Sequence, residues 1–153
     1  FGVLERGSPP LRGSRFLDLF AGSGAAALEA ISRGAVEALC IDQASAAVAA
    51  IRANVEALGE SGAVSVLRAD ACRLGPASQP FDIAFLDPPY GSGLLAPALI
   101  SLAEMGWLAT GAQIVAEVAA RERLEAVPGF QLEDERGYGA ARLLFLRRAP
   151  ATD

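Results

Sequence analysis

The segment Arg15-Phe16-Leu17-Asp18-Leu19-Phe20-Ala21-Gly22-Ser23-Gly24 passes from an apolar, β-favouring run directly into a turn with two glycines. Its first six residues read as a strand. Ala25 to Arg33, rich in small residues and stopped by Gly34, reads as the helix that follows. Glycine lets a backbone approach a ligand closely, and a helix that starts at such a turn offers free N–H groups. Strand, glycine turn and helix together open an α/β unit.

The same alternation continues outward. Residues 1 to 7 read as the tail of a helix ended by Gly7, with Ser8-Pro9-Pro10 as a breaker. On the other side, Ala38 to Asp42 is predicted as a second strand, Ala44 to Leu58 as a helix stopped by Gly59, and Val64 to Arg68 as a third strand reaching Asp70. A loop over 73–80 leads to the apolar run Phe81 to Leu86, a fourth strand. Leu94 to Met105 is a helix with Pro97 in its tolerant first turn, and Ala112 to Val118 is a fifth strand. Gly129 to Tyr138 and Ala140 to Arg147, split by Gly139, suggest a closing antiparallel pair. The expectation is one α/β domain over residues 1–153, with residues 1–14 as the end of a helix and a loop. Its sheet is mostly parallel, with helices on both faces.

Composition narrows the function. Of 153 residues 52% are hydrophobic and 20% charged, which suits a well-cored domain and excludes a disordered one. No apolar run approaches the roughly 20 residues that span a bilayer. Phe1 to Arg6 lacks the layout of a signal peptide, so a cytoplasmic protein without membrane contact is expected. Cys40 and Cys72 lie in or beside strands and read as buried free thiols. Histidine is absent, which removes the commonest general base and metal ligand; no metal site is expected. The net charge of −5 argues against a freestanding polyanion-binding surface.

Four stretches carry chemistry. The glycine turn, Asp18 included, is the first. Asp42 follows Gly22 by 20 residues at the end of the second strand, where an acid binds ribose hydroxyls. Asp70, between Ala69 and Ala71, ends the third strand, where a carboxylate accepts from an adenine amine. The fourth is Asp87-Pro88-Pro89-Tyr90. Two prolines end the strand ladder and leave an acid, free carbonyls and an aromatic ring at a strand's carboxyl end, where open α/β sheets bind ligands. Singly, each has a duller reading as a packing turn or a helix cap. Together they describe a pocket for an adenosine-containing cofactor. A nicotinamide dehydrogenase is the rival, because Gly22 to Ala27 fits the dinucleotide fingerprint with alanine at its third position. Against it, a carboxylate at Asp18 repels a pyrophosphate and suits an ammonium group. S-adenosylmethionine has such a group, and the rival gives Asp87 to Tyr90 no task.

In this order and spacing, Asp18 to Gly24, Asp42, Asp70 and Asp87 to Tyr90 resemble an amino-methylating S-adenosylmethionine-dependent methyltransferase. Nearly the whole chain is similar to the RsmD-type family of bacterial 16S ribosomal RNA guanine-N2 methyltransferases. That similarity includes Leu28 to Ala35, Gly91, Gly106-Trp107-Leu108 and Tyr138-Gly139. The resemblance implies a Rossmann-like class I fold with a seven-stranded, mostly parallel sheet closed by an antiparallel pair. It implies S-adenosylmethionine held by Asp18, Phe20, Ala21, Gly22, Ser23, Gly24, Asp42, Gln43, Asp70, Ala71 and Asp87. The implied catalytic set is Asp87 and the carbonyl of Pro88, with Pro89 and a stacking Tyr90. The implied substrate is 16S ribosomal RNA, within the 30S subunit or an assembly intermediate, and the implied enzyme is a monomer. Adenine N6, another base, or an inactive RNA-binding relative are the alternatives. The family's basic N-terminal segment precedes the position of Phe1. Tyr138 and Arg136 are weaker candidates near the substrate, better read as a sheet-edge cover and a solvated arginine, and Trp107 is expected to pack a helix end on the core.

Overall fold

The computed structural model describes residues 1–150, with Tyr138 by its backbone alone. A short helix α1 (Gly2–Arg6) precedes β1 (Arg15–Leu19), α2 (Ala25–Ser32), β2 (Glu37–Asp42), α3 (Ser45–Ala57) and β3 (Val64–Arg68). After a crossing with no helix come β4 (Phe81–Leu86), α4 (Leu95–Glu104), β5 (Leu108–Ala119), β6 (Phe130–Tyr138) and β7 (Ala141–Arg148). These strands form one seven-stranded sheet in the order β3-β2-β1-β4-β5-β7-β6. Five strands run parallel; β7 pairs antiparallel with both β5 and β6. This is the expected class I methyltransferase architecture.

Alternation along the central strands sends side chains into two cores. Leu17 and Leu19 of β1 join Leu86, Ile114 and Val118 under α4, whose Leu95, Ala98, Leu99 and Leu102 recur at helical spacing. Phe16, Cys40, Ile83 and Val115 point the other way, against Ala27 and Ala30 of α2 and Ile51 and Val55 of α3. Trp107 closes the α4 core as expected: it is 7% exposed, stacks on Phe81 and donates its Nε1–H to the Gly75 carbonyl at 2.8 Å.

Strand β5 is longer than its apolar run, beginning at Leu108 and joining β4 through a register shift between Phe81 and Ile83. Cys72 is half-buried rather than fully buried, with Sγ 3.8 Å from the Leu94 carbonyl, while Cys40 is buried and both are free thiols. Burial first, and the nearby Asp18 second, push the Cys40 thiol up to about 12. Among the described residues, no helix is long and apolar enough to cross a membrane.

The chain builds β1 to β3 outward on one side, then returns to lay β4 beside β1 and grows the other way. The order of strands therefore reverses between β1 and β4. Loops leaving these two neighbours diverge, and a crevice opens at their carboxyl ends.

Candidate active site

Register places the predicted stretches in one layer. Leu19 pairs with Ile41 on one side and Leu86 on the other, and Leu86 pairs with Ala116. The next residues of these four strands are Phe20, Asp42, Asp87 and Glu117. The Asp87 amide lies 3.4 Å from the Leu19 carbonyl, so the proline motif starts directly beside the glycine turn.

The turn leaves β1 through three left-handed residues, Phe20 (φ 57°), Gly22 (φ 59°) and Gly24 (φ 81°). A β-carbon on Gly24 would lie 3.2 Å from Ile51 Cγ2, whereas one on Gly22 would meet nothing within 4 Å. Gly24 thus admits close packing of α3 under the turn, and Gly22 faces open space. Phe20 holds a conformation that costs a non-glycine residue on the order of 1–2 kcal/mol, a strain that concentrates at functional sites. The Ala21 amide donates to the Ile41 carbonyl at 3.1 Å, and Asn54 of α3 donates to the Ser23 carbonyl at 2.9 Å. The turn is fastened from both sides, with Gly22 and Ser23 exposed above it.

Asp18 lies beneath this turn, 2% exposed, accepting from the Ala27 amide at 3.1 Å. It caps the first turn of α2, whose amides have no helical partner. Burial raises its pKa to about 8; the Ala27 bond opposes this, and the charges of Asp87 and Asp42 add to it. Burial thus favours the protonated carboxyl when no cation is bound.

Asp42 is partly exposed and accepts from two amides, Gly22 at 3.0 Å and Ala44 at 3.0 Å. It links the glycine turn to the start of α3. Each carboxylate oxygen retains a lone-pair direction for a ligand hydroxyl. Gln43 is exposed, and its carbonyl is held by Arg68 at 2.9 Å. The Ala69 amide donates to the Asp42 carbonyl at 3.1 Å, setting Asp70 beside Asp42. Asp70 accepts from the Cys72 amide at 2.9 Å, and Ala71 is buried behind it.

At the proline motif, Pro88 is buried while Asp87, Pro89 and Tyr90 are exposed, Tyr90 by 52%. Partial burial comes first, then the charge and hydrogen bond of Glu117, in raising the Asp87 carboxyl to about 6. The Tyr90 hydroxyl lies 3.5 Å from Glu117 Oε2. The loop after β5 clamps the motif: Glu122 accepts from the Gly91 amide at 2.7 Å. On the α4 side a groove of about 990 Å³ opens along Pro88, Leu95, Leu124, Phe130 and Arg142. Sequence reasoning overlooked Glu117 and Glu122. For Glu117 a signal was present, a single acid near the end of the apolar run Ile114 to Val118. Arg136 is exposed and paired with Asp134 at 3.0 Å, and the side chain of Tyr138 lies outside the described residues. Among the described residues, no group of three or more His, Cys, Asp or Glu stands close enough to hold a metal.

A seven-stranded sheet in this order, with a glycine turn and acids at its switch point, is the fold of class I S-adenosylmethionine-dependent methyltransferases. The family described as Conserved hypothetical protein 95 matches residues 1–147. Ribosomal RNA small subunit methyltransferase D of Escherichia coli K12 is 35% identical over 145 residues, covering 93% of this chain and 73% of that protein. The chain belongs to this methyltransferase D family. A solved methylase from Haemophilus influenzae superposes with a TM-score of 0.83 at 28% identity, over 93% of this chain and 91% of its own. A solved Escherichia coli methyltransferase gives 0.80 at 33% identity, over 93% and 79%.

Proposed function

We propose that this chain transfers the methyl group of S-adenosylmethionine to the exocyclic N2 amine of a guanine in 16S ribosomal RNA, in the 30S subunit or a precursor of it. It acts as a cytoplasmic monomer. The observation that carries this reading is the pairing of Leu19 with Leu86, which sets the glycine turn and Asp87 side by side at one crevice.

The residues present fit the methyl donor. Gly22 leaves open space where a side chain would intrude, and Asp42 and Asp70 stand partly exposed on adjoining strand ends. Asp42 would hold the ribose hydroxyls, and Asp70 with Ala71 the adenine. Phe20 to Gly24 would line the amino acid end, with Gln43 and Asp87 at the margins. Asp18, from below, supplies the negative charge that an ammonium group favours. When bound, the cofactor would supply a methyl group already activated by a sulfonium and would leave as the neutral thioether, so no metal and no strong base are needed; the proton the methylated amine sheds would pass to the Asp87 carboxylate or to water.

The chain's own task is to prepare the nucleophile. The N2 lone pair of guanine is delocalised into the ring and attacks poorly. Asp87 and the Pro88 carbonyl accept its two N–H bonds and draw the nitrogen out of conjugation, and the stiff diproline turn keeps both acceptors still. Tyr90, exposed beside them, stacks on a base that has left its helix. Orientation of this kind supplies much of the rate in such transfers.

Single-turnover methylation of 30S subunits or 16S RNA tests the reading, with S-adenosylhomocysteine affinity measured alongside. Asp87→Ala is expected to abolish transfer while leaving that affinity within a few-fold. Near wild-type transfer by this variant would sink the amine-orienting role. Mass spectrometry of the product identifies the base and the methylated atom.

A further inference from the structure

Asp87 does not stand alone at the substrate end. Because Leu86 pairs with Ala116, the residues that follow, Asp87 and Glu117, project side by side from adjacent strand ends. After burial, the adjacent Glu117 is what pushes the Asp87 carboxyl above its ordinary value. Glu117 is partly exposed although its neighbours Ala116 and Val118 are fully buried. Among the described residues, no arginine forms an ion pair with either acid. Two adjacent carboxyls without a cation are an unfavourable arrangement unless they share a proton or meet a ligand that brings donors. The Tyr90 hydroxyl, 3.5 Å from Glu117 Oε2, brings the stacking ring to the same point.

Guanine presents two adjacent kinds of donor on its Watson–Crick edge, the N2 amine and the ring N1–H. Adenine presents an amine beside a ring nitrogen lone pair. A second acceptor next to the amine acceptor therefore fits guanine and opposes adenine. We propose that Glu117 is the specificity-determining residue of the substrate site, its carboxylate accepting the N1–H of the target guanine while Asp87 and the Pro88 carbonyl take the N2 amine. This rests on the guanine-N2 reading above and adds to it a residue that reads the base. The diproline motif holds an exocyclic amine of any base; Glu117, from the neighbouring strand, chooses which one.

The test uses 2-aminopurine, which keeps the reactive N2 amine but carries a lone pair at N1. RNA spanning the mapped target is made with either guanosine or 2-aminopurine riboside at that nucleotide. The wild-type protein is expected to methylate the guanosine RNA about tenfold faster or more, the discrimination typical of one well-placed base-edge contact. Glu117→Gln, isosteric and able both to accept and to donate, should bring the two rates within about threefold, with S-adenosylhomocysteine affinity kept within about twofold. A variant that binds S-adenosylhomocysteine normally yet keeps the wild-type preference overturns the inference and leaves the function standing. Equal wild-type rates on the two RNAs overturn the inference alone, and no wild-type transfer to the guanosine RNA overturns both. If the variant turns over neither RNA, the fluorescence of 2-aminopurine reports binding directly: tighter binding by the variant than by wild type supports the role, and equal binding overturns it.

Discussion

Asp42 accepts from the Gly22 amide on one oxygen and from the Ala44 amide on the other, so one side chain ties the glycine turn to the start of α3. Its replacement therefore has two separable consequences. Asp42→Ala should weaken S-adenosylmethionine binding by about 1–3 kcal/mol, the usual loss for a charged acceptor, and should lower thermal stability as well. Calorimetric titration beside thermal unfolding distinguishes them, and lowered stability with unchanged affinity would confine Asp42 to scaffolding. Tyr90 divides in a similar way. Its ring is proposed to stack, and its hydroxyl contact with Glu117, at 3.5 Å, is long for an O–H donor. Tyr90→Phe is expected to keep most activity, and Tyr90→Ala to lose about 1–3 kcal/mol of base stacking in single-turnover assays. Equal losses from both substitutions would move the role from the ring to the hydroxyl.

The turn between β1 and α2 is the element proposed to bind the cofactor, and its two glycines serve different ends. Both have positive φ, so alanine at either is strained by roughly 1–2 kcal/mol. At Gly24 the added carbon also crowds Ile51 of α3 at 3.2 Å, whereas at Gly22 it enters open space. Gly24→Ala should therefore cost more stability in urea unfolding than Gly22→Ala. Gly22→Ala should lose more S-adenosylhomocysteine affinity for each unit of stability lost, because its methyl group occupies the ligand's side of the turn. Identical effects at both positions would mean that the open face of Gly22 is not where the cofactor lies.

Across the whole molecule, the acids gathered at the crevice make stability depend on pH. Asp18 has its pKa raised from 3.8 to about 8, and Asp87 from 3.8 to about 6. Both folded-state values lie above the unfolded ones, so the native state holds protons that the unfolded chain has released. Without cofactor, stability should be highest below about pH 4 as far as these groups decide it, and should fall as pH rises from there towards 8. Above about pH 7 only Asp18 still contributes appreciably to the slope. Asp18→Asn, which removes the titration with little change of shape, should flatten the fall between pH 6 and 8 in urea melts, and an unchanged slope would rule Asp18 out as its source. A cofactor bearing an ammonium group should relieve the same site. NAD, whose pyrophosphate brings negative charge and no ammonium group to the turn beside Asp42, should not compete with S-adenosylhomocysteine even at millimolar concentration. Measurable competition would restore the dehydrogenase reading of the glycine turn.

Local chemistry in the sequence determined the order and type of the elements. Apolar runs such as Phe81 to Leu86, glycine stops at Gly34 and Gly59, and a proline pair ending a strand act over a few residues, and the structure reproduces the elements within a few positions. The glycine turn and the Asp87 to Tyr90 motif were legible for the same reason, since each is a contiguous run whose backbone demands are its own. Only the tertiary structure decided that β4 lies beside β1, which converts two motifs far apart in sequence into one crevice. It also decided that Asp18 is buried under α2, where desolvation raises its pKa, and that β5 brings Glu117 beside Asp87. Strand order, register and the environment of a carboxyl group depend on contacts between distant segments, and those contacts exist only once the sheet has formed.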